Sequence, residues 1–173
     1  MDRLGFIHEK LDIKILILFI LRRLPDTVDA DTLAELALCD DGISYFDYAE
    51  CLAELVDTGH IDDTGNHYRI TEKGDLNGGT IESSLPYSVR KKVEKQVARV
   101  AAKMRRNSMI KTQHTLTSEG SCMLELGLSD GCGEIISLHM LVSDEEQAAQ
   151  IEGNFRARAE QLYGQIVELL STP

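Results

Sequence analysis

The 173-residue chain has no long apolar run. Ile15 to Leu21 is wholly apolar, but it is flanked by Lys14 and Arg22 and is far short of the roughly 20 residues that span a bilayer. Acidic Asp2, Glu9 and Asp12 precede it and no small-residue cleavage site follows, so it does not read as a signal peptide. It reads as a buried helix, and no membrane partner is expected. The four cysteines, Cys39, Cys51, Cys122 and Cys132, form no C-x-x-C pair. Reduced thiols and a cytoplasmic location are expected. His114, Cys122, Cys132 and His139 have no recognisable ligand spacing, so no metal is expected. Gly74 to Gly79 is not followed by Gly-Lys-Ser/Thr, and no nucleophile elbow surrounds any serine. The expectation is a protein without catalytic residues or cofactor, and not an enzyme. No internal repeat or low-complexity segment is evident.

What is present is globular: 43% hydrophobic and 27% charged residues, enough for a real core. The net charge of −11 is unevenly spread. Residues 1–80 carry 7 Lys/Arg against 17 Asp/Glu, whereas residues 86–111 carry 9 Lys/Arg and only Glu94. An acidic region repels phosphates and a basic stripe attracts them. The two halves therefore point to different partners.

Three helices are expected first: Lys10 to Leu24, ended by Pro25; Asp31 to Leu38; and one capped by Ser44, with Asp47 three residues on. Phe46, Ala49, Leu52, Ala53 and Val56 give the third helix its apolar face. Thr58-Gly59 closes it. Two short strands, His60 to Asp62 and His67 to Ile70, flank the turn Asp63-Thr64-Gly65-Asn66. Thr71 to Gly74 starts a helical turn, and the glycine-rich stretch after it reads as a boundary. The domain division expected is 1–75, a linker at 76–85, and a second unit at 86–173.

The second unit opens with a helix from Pro86 to Arg106. Val89, Val93, Val97, Val100 and Met104 form an apolar stripe, suited equally to a dimer seam or a core. Lys92, Lys95, Arg99, Lys103 and Arg106 form a basic stripe roughly 120° around the helix. Strands follow near Met109–Thr117, Ser121–Leu128 and Glu134–Val142. A three-residue loop, Ser129-Asp130-Gly131, would put Leu124 opposite Ile136 and Cys122 opposite Leu138. Cys122, Leu124, Leu126, Ile136, Leu138, Met140 and Val142 then share one face. Ser143 is the expected cap of a last helix, with Glu146 completing its capping box. Its stripe is Ala148, Ile151, Phe155, Ala159, Leu162, Ile166 and Leu169. Together with the valine stripe, this offers enough apolar surface to predict a homodimer.

The order of three helices and a hairpin, ending Tyr68-Arg69-Ile70-Thr71-Glu72-Lys73-Gly74, resembles the winged-helix transcriptional regulators. Leu52 to Ile61, a helix end followed by glycine and a strand, strengthens the likeness. More narrowly, the whole chain is similar to the domain-of-unknown-function 4364 family. That resemblance implies an α+β protein: an N-terminal winged helix-turn-helix, a long helix, and a three-stranded antiparallel sheet packed on a C-terminal helix. The broader winged-helix likeness implies double-stranded DNA as a partner. Ser44, Tyr45, Tyr48 and Cys51 would face the groove, and His67 and Arg69 on the wing would touch phosphate. The third helix has no Lys or Arg but carries Asp47, Glu50, Glu54 and Asp57. Two readings stay open: a homodimeric DNA-binding regulator whose C-terminal unit dimerises or senses a ligand, and a winged-helix module that binds a protein partner instead. In the first, the basic stripe tracks phosphates; otherwise it pairs with the acidic half or is simply solvated.

Overall fold

The computed structural model describes residues 6–7, 9–118 and 120–172; residues 1–5 of the expected first domain, Asp2 among them, lie outside these. Among the described residues are six α-helices and two three-stranded antiparallel sheets. The chain divides into two compact units, 1–104 and 105–173.

In the first unit, α1 (Lys10–Leu21) is buried from Ile15 through Leu21, as an all-round apolar helix should be. It stops three residues before the expected end. Arg23 N–H and Leu24 N–H turn back to Ile20 and Leu21 carbonyls in a tightened last turn. This leaves Arg22 and Arg23 to pair with acids further along the chain: Arg22 with Asp75 (2.8 Å) and both arginines with Glu82 (2.6 and 3.0 Å).

A two-residue strand β1 (Val28–Asp29) follows, then α2 (Ala30–Ala37), capped by Asp29, whose carboxylate accepts Thr32 N–H. No sequence signal was read at β1, because two residues show no period. The carboxylate of Asp40, only 8% exposed, accepts the N–H groups of Phe6, Ile7 and Gly42. α3 (Tyr45–Asp57) is capped by Ser44 as expected. Its buried face differs from the one expected. Tyr48, Cys51, Leu52 and Leu55 are inside, whereas Phe46 is 85% exposed and Ala53 is also exposed. The burial runs 48, 51/52, 55, so the tyrosine and cysteine replace Phe46 and Ala53 against the core.

β2 (Ile61–Asp63) and β3 (His67–Ile70) form the hairpin, and β3 lies centrally in the order β1-β3-β2. The turn is tighter than expected. Thr64 N–H bonds His67 O, and only Gly65 and Asn66, both at positive φ (75° and 71°), bridge the strands.

The stretch expected as a linker is helical: α4 (Glu72–Ile81) followed by a 3-10 turn at Glu82–Ser84. Its glycines serve close packing, not flexibility. A Cβ on Gly78 would meet the Arg22 Cδ at 2.8 Å and the Leu18 Cβ at 3.2 Å. α5 (Tyr87–Met109) contains the point where the two units divide. Its Val89, Val93 and Val97 are buried in the same core as α1, so these valines are core residues of the first unit.

In the second unit, β4 (Ile110–Leu116), β5 (Cys122–Ser129) and β6 (Glu134–Val142) form a meander in the order β4-β5-β6, covered by α6 (Glu145–Ser171). Cys122, Leu124, Leu126 and Leu128 are buried with Phe155 and Ala159 of α6. The expected inner face is present except at Met140, which is 41% exposed, and the register differs from the expected one. Leu124 faces Met140 and Cys122 faces Val142, a shift of four residues, with a bulge at Leu128/Ser129. Side chains alternate with period two, so burial fixes only parity, and an even shift preserves every inward residue. The longer loop is held by Asp130, which accepts Cys132 and Gly133 N–H. The cap of α6 is Asp144 rather than Ser143; it accepts Gln147 N–H, and Gln147 reaches back to Ser143 N–H.

Candidate functional site

The first unit has a groove of about 360 Å³ between α2, α3 and the tip of the hairpin. Ala30 and Ala34 come from α2. Tyr45, Tyr48, Ala49, Leu52, Ala53 and Val56 come from α3, and Tyr68 comes from β3. These make its floor and walls. The charged lining residues are Asp31, Asp57 and Asp63, with no Lys or Arg among them. The three carboxylates come from α2, the end of α3 and β2, with Asp31 26 residues before Asp57 and 32 before Asp63.

Tyr45 is 63% exposed and its ring lies 6.1 Å from that of Tyr48, tilted by 50°. Tyr48 is 3% exposed, and its phenol Oη is buried with no hydrogen-bond partner among the described residues. Burial, then the neighbouring Tyr68 and Tyr45, push this phenol far above its ordinary pKa, so it stays protonated. Tyr68 is shifted upward too, by burial and then by Asp63 and Tyr45. Three phenols and three carboxylates thus converge on one apolar groove.

The other residues singled out from the sequence lie elsewhere. The Ser44 hydroxyl serves the α3 cap, accepting Asp47 N–H at 3.1 Å and donating to its carboxylate at 2.7 Å. Cys51 is fully buried with its thiol 3.5 Å from Lys10 O, rather than on a groove-facing surface. His67 and Arg69 are exposed, but they alternate with Tyr68 along β3 and so occupy the opposite face of the sheet. Lys92 Nζ donates to the Cys39 carbonyl, at 2.5 Å. Lys95, Arg99 and Lys103 are exposed and form no ion pair among the described residues. Arg106 pairs with Glu160 at 2.7 Å, within the second unit.

Two of the four acids on α3 are matched by cations of α1. Lys10 pairs with Glu50 at 2.5 Å, and Lys14 pairs with Glu54. Asp57, at the C-terminal end of α3, joins the groove rim. Sequence reasoning found Tyr45 and Tyr48 but not Asp31, Asp57, Asp63 or Tyr68 as their neighbours. Nothing in the local spacing announces a cluster assembled from three elements.

A second groove of about 390 Å³ runs between α1, α3 and α4. Its polar groups satisfy one another. Thr58 Oγ1 donates to Glu54 O and so accepts Nδ1–H of His60 at 2.8 Å, while His60 Nε2 accepts from Asn77 at 2.8 Å. Lys14 and Glu54 are paired there as well. Among the described residues, the α2–α3–β3 groove differs in having a buried hydroxyl without a hydrogen-bond partner and rim carboxylates without a cation.

No group of His, Cys, Asp or Glu able to hold a metal occurs among the described residues. None of the described helices is long and apolar enough to cross a membrane. No curated protein and no solved structure matches the chain. A family model, a domain of unknown function (DUF4364), matches residues 13–170. The match runs from within α1 to near the end of α6, across both units, so the chain belongs to the DUF4364 family.

Proposed function

We propose that this protein is a regulator-like, non-enzymatic winged-helix module whose first unit engages a protein partner through the α2–α3–β3 groove. The winged-helix reading is supported by the order α1-β1-α2-α3-β2-β3, in which β1 adds to the hairpin through Val28↔Tyr68 and Asp29↔His67. The partner reading is carried by one observation: the accessible face of α3 and the groove beside it present tyrosine, alanine and carboxylate, with no cation. Helices that read DNA bring Arg, Lys, Asn or Gln to base edges. A duplex approaching α3 would meet Asp57 and Asp63 and find no positive charge on α3 to offset them.

DNA binding is a second reading, and one observation favours it. Lys95, Arg99 and Lys103 are exposed and form no ion pair among the described residues. Such a stripe neutralises phosphates without reading sequence. Selection of bound fragments from random and genomic DNA at low salt tests both readings. The expected outcome is no enriched sequence, with residual binding that vanishes as salt rises and depends on Lys95 and Arg99. Enrichment of a defined sequence that is lost in Tyr45→Ala would overturn the partner reading.

The homodimer belongs to the proposal only through α6. Leu169 and Leu170 in its last turns are 76% and 82% exposed, whereas the valine stripe is occupied by its own core. Light scattering at high protein concentration is expected to show a dimer, and a monomer would remove it.

A further inference from the structure

On the reading just given, we infer that the α2–α3–β3 groove is a receptor for a cationic side chain, arginine above lysine, carried on an otherwise apolar segment of a partner protein. Four features of the groove select this chemistry. The rim has only negative charge: Asp31 and Asp57 are exposed and form no ion pair among the described residues, and Asp63 adds a third carboxylate. The floor is aliphatic, which suits the methylene stem that long cationic side chains lay along apolar surface. The walls are tyrosine rings, whose faces attract a guanidinium or ammonium. Finally, the Tyr48 oxygen is buried beside this floor with no partner among the described residues. It offers lone pairs, and a guanidinium brings five donors and no acceptor. The volume suits a few side chains, near the lower end of ligand-binding cavities.

An anionic occupant would face three carboxylates, and a purely apolar one would give the Tyr48 hydroxyl no partner and the rim carboxylates no counter-charge. Arginine satisfies more of the groove than lysine. Its planar fork can bond a rim carboxylate while stacking on a tyrosine, and it is the more weakly hydrated of the two cations.

The test uses the full chain against an array of short random peptides, which can present a side chain to the groove from an extended or a helical backbone. Binders are read with wild type, Tyr45→Ala and Asp57→Asn/Asp63→Asn proteins. Groove-dependent binders, those lost with Tyr45→Ala, are expected to be enriched in arginine flanked by apolar residues. Changing that arginine to citrulline, its neutral isostere, should weaken binding about tenfold or more. The Asp57→Asn/Asp63→Asn protein should lose affinity for the arginine peptide by a similar factor and keep its affinity for the citrulline peptide. Circular dichroism and ring signals of Tyr45, Tyr48 and Tyr68 establish that each variant is folded. A variant that fails to fold is replaced by the single substitution Asp57→Asn, at an exposed site, judged by the same loss of arginine selectivity. Groove-dependent binders with no cationic preference, or equal binding of arginine and citrulline peptides, would overturn the cationic occupant and leave the partner-binding module standing. Absence of any groove-dependent binder would overturn both.

Discussion

Gly74 packs against the backbone carbonyl of His60 so closely that a Cβ at that position would lie 2.2 Å from the oxygen. The neighbour is main chain at the entrance to β2, and it cannot swing aside. Gly74→Ala should therefore cost about 2–3 kcal/mol, the scale of forced overpacking. Gly79 is the contrast. A Cβ there meets the Arg22 guanidinium at 2.9 Å, the far end of a long side chain, and alanine gains up to about 1 kcal/mol of helix propensity. Urea unfolding followed on the first unit should show a large loss for Gly74→Ala and little change for Gly79→Ala.

The second prediction separates core from interface. Val93 is fully buried among the residues that surround α1. Val93→Ala should destabilise the first unit by about 2 kcal/mol, and Val93→Lys should unfold it. A dimer seam would behave otherwise, with Val93→Lys giving a folded monomer. Circular dichroism with light scattering distinguishes the two.

The pH dependence of stability should run in opposite directions in the two units. Burial, aided by Lys73 and Lys14, holds His60 below its ordinary pKa of 6.5. Its contribution is present in full above that value and is lost as pH falls through the lowered one. His114 is raised above 6.5, first by its hydrogen bond to Glu152 and then by the charges of Glu152 and Glu145. Its contribution is present below 6.5 and is lost as pH rises through the raised value. Amide exchange between about pH 5 and pH 8 should show the first unit loosening toward acid and the second toward alkali. His60→Gln should flatten the first trend and His114→Gln the second; parallel trends in both units would remove this account.

How much of this was legible follows from the range of each signal. The long periodic elements, α5 and α6, and the three strands of the second unit lie within a few residues of their expected positions, because each repeats its pattern several times. The register of β5 on β6 lies four residues from the expected one, since alternation carries parity and not phase. The glycines at 74, 78 and 79 read as a linker, because a packing glycine and a flexible one look the same without their neighbours. For the site, Tyr45 and Tyr48 are three residues apart and visible together. Asp31, Asp57 and Asp63 are spread across three elements that only tertiary folding brings to one rim.

The last prediction sets stability against binding at a single atom. Tyr48 Oη is buried without a hydrogen-bond partner among the described residues, a situation that costs about 1–3 kcal/mol relative to a satisfied hydroxyl. Tyr48→Phe removes that oxygen and retains the ring that packs near Tyr45 and Leu52. The free protein should therefore become no less stable, and more stable by up to about 1 kcal/mol, against the usual direction for a core substitution. Tyr48→Ala should lose about 3–5 kcal/mol, because the ring itself is core. If the hydroxyl is kept for an incoming donor, Tyr48→Phe should also weaken the arginine-bearing peptide severalfold, while a peptide with citrulline in its place is held less tightly by both proteins. Thermal unfolding without and with the peptide measures the two effects on one sample. A Tyr48→Phe protein that is clearly destabilised when free would mean that the phenol has a partner in the unbound state, and the oxygen would then not be waiting for a ligand.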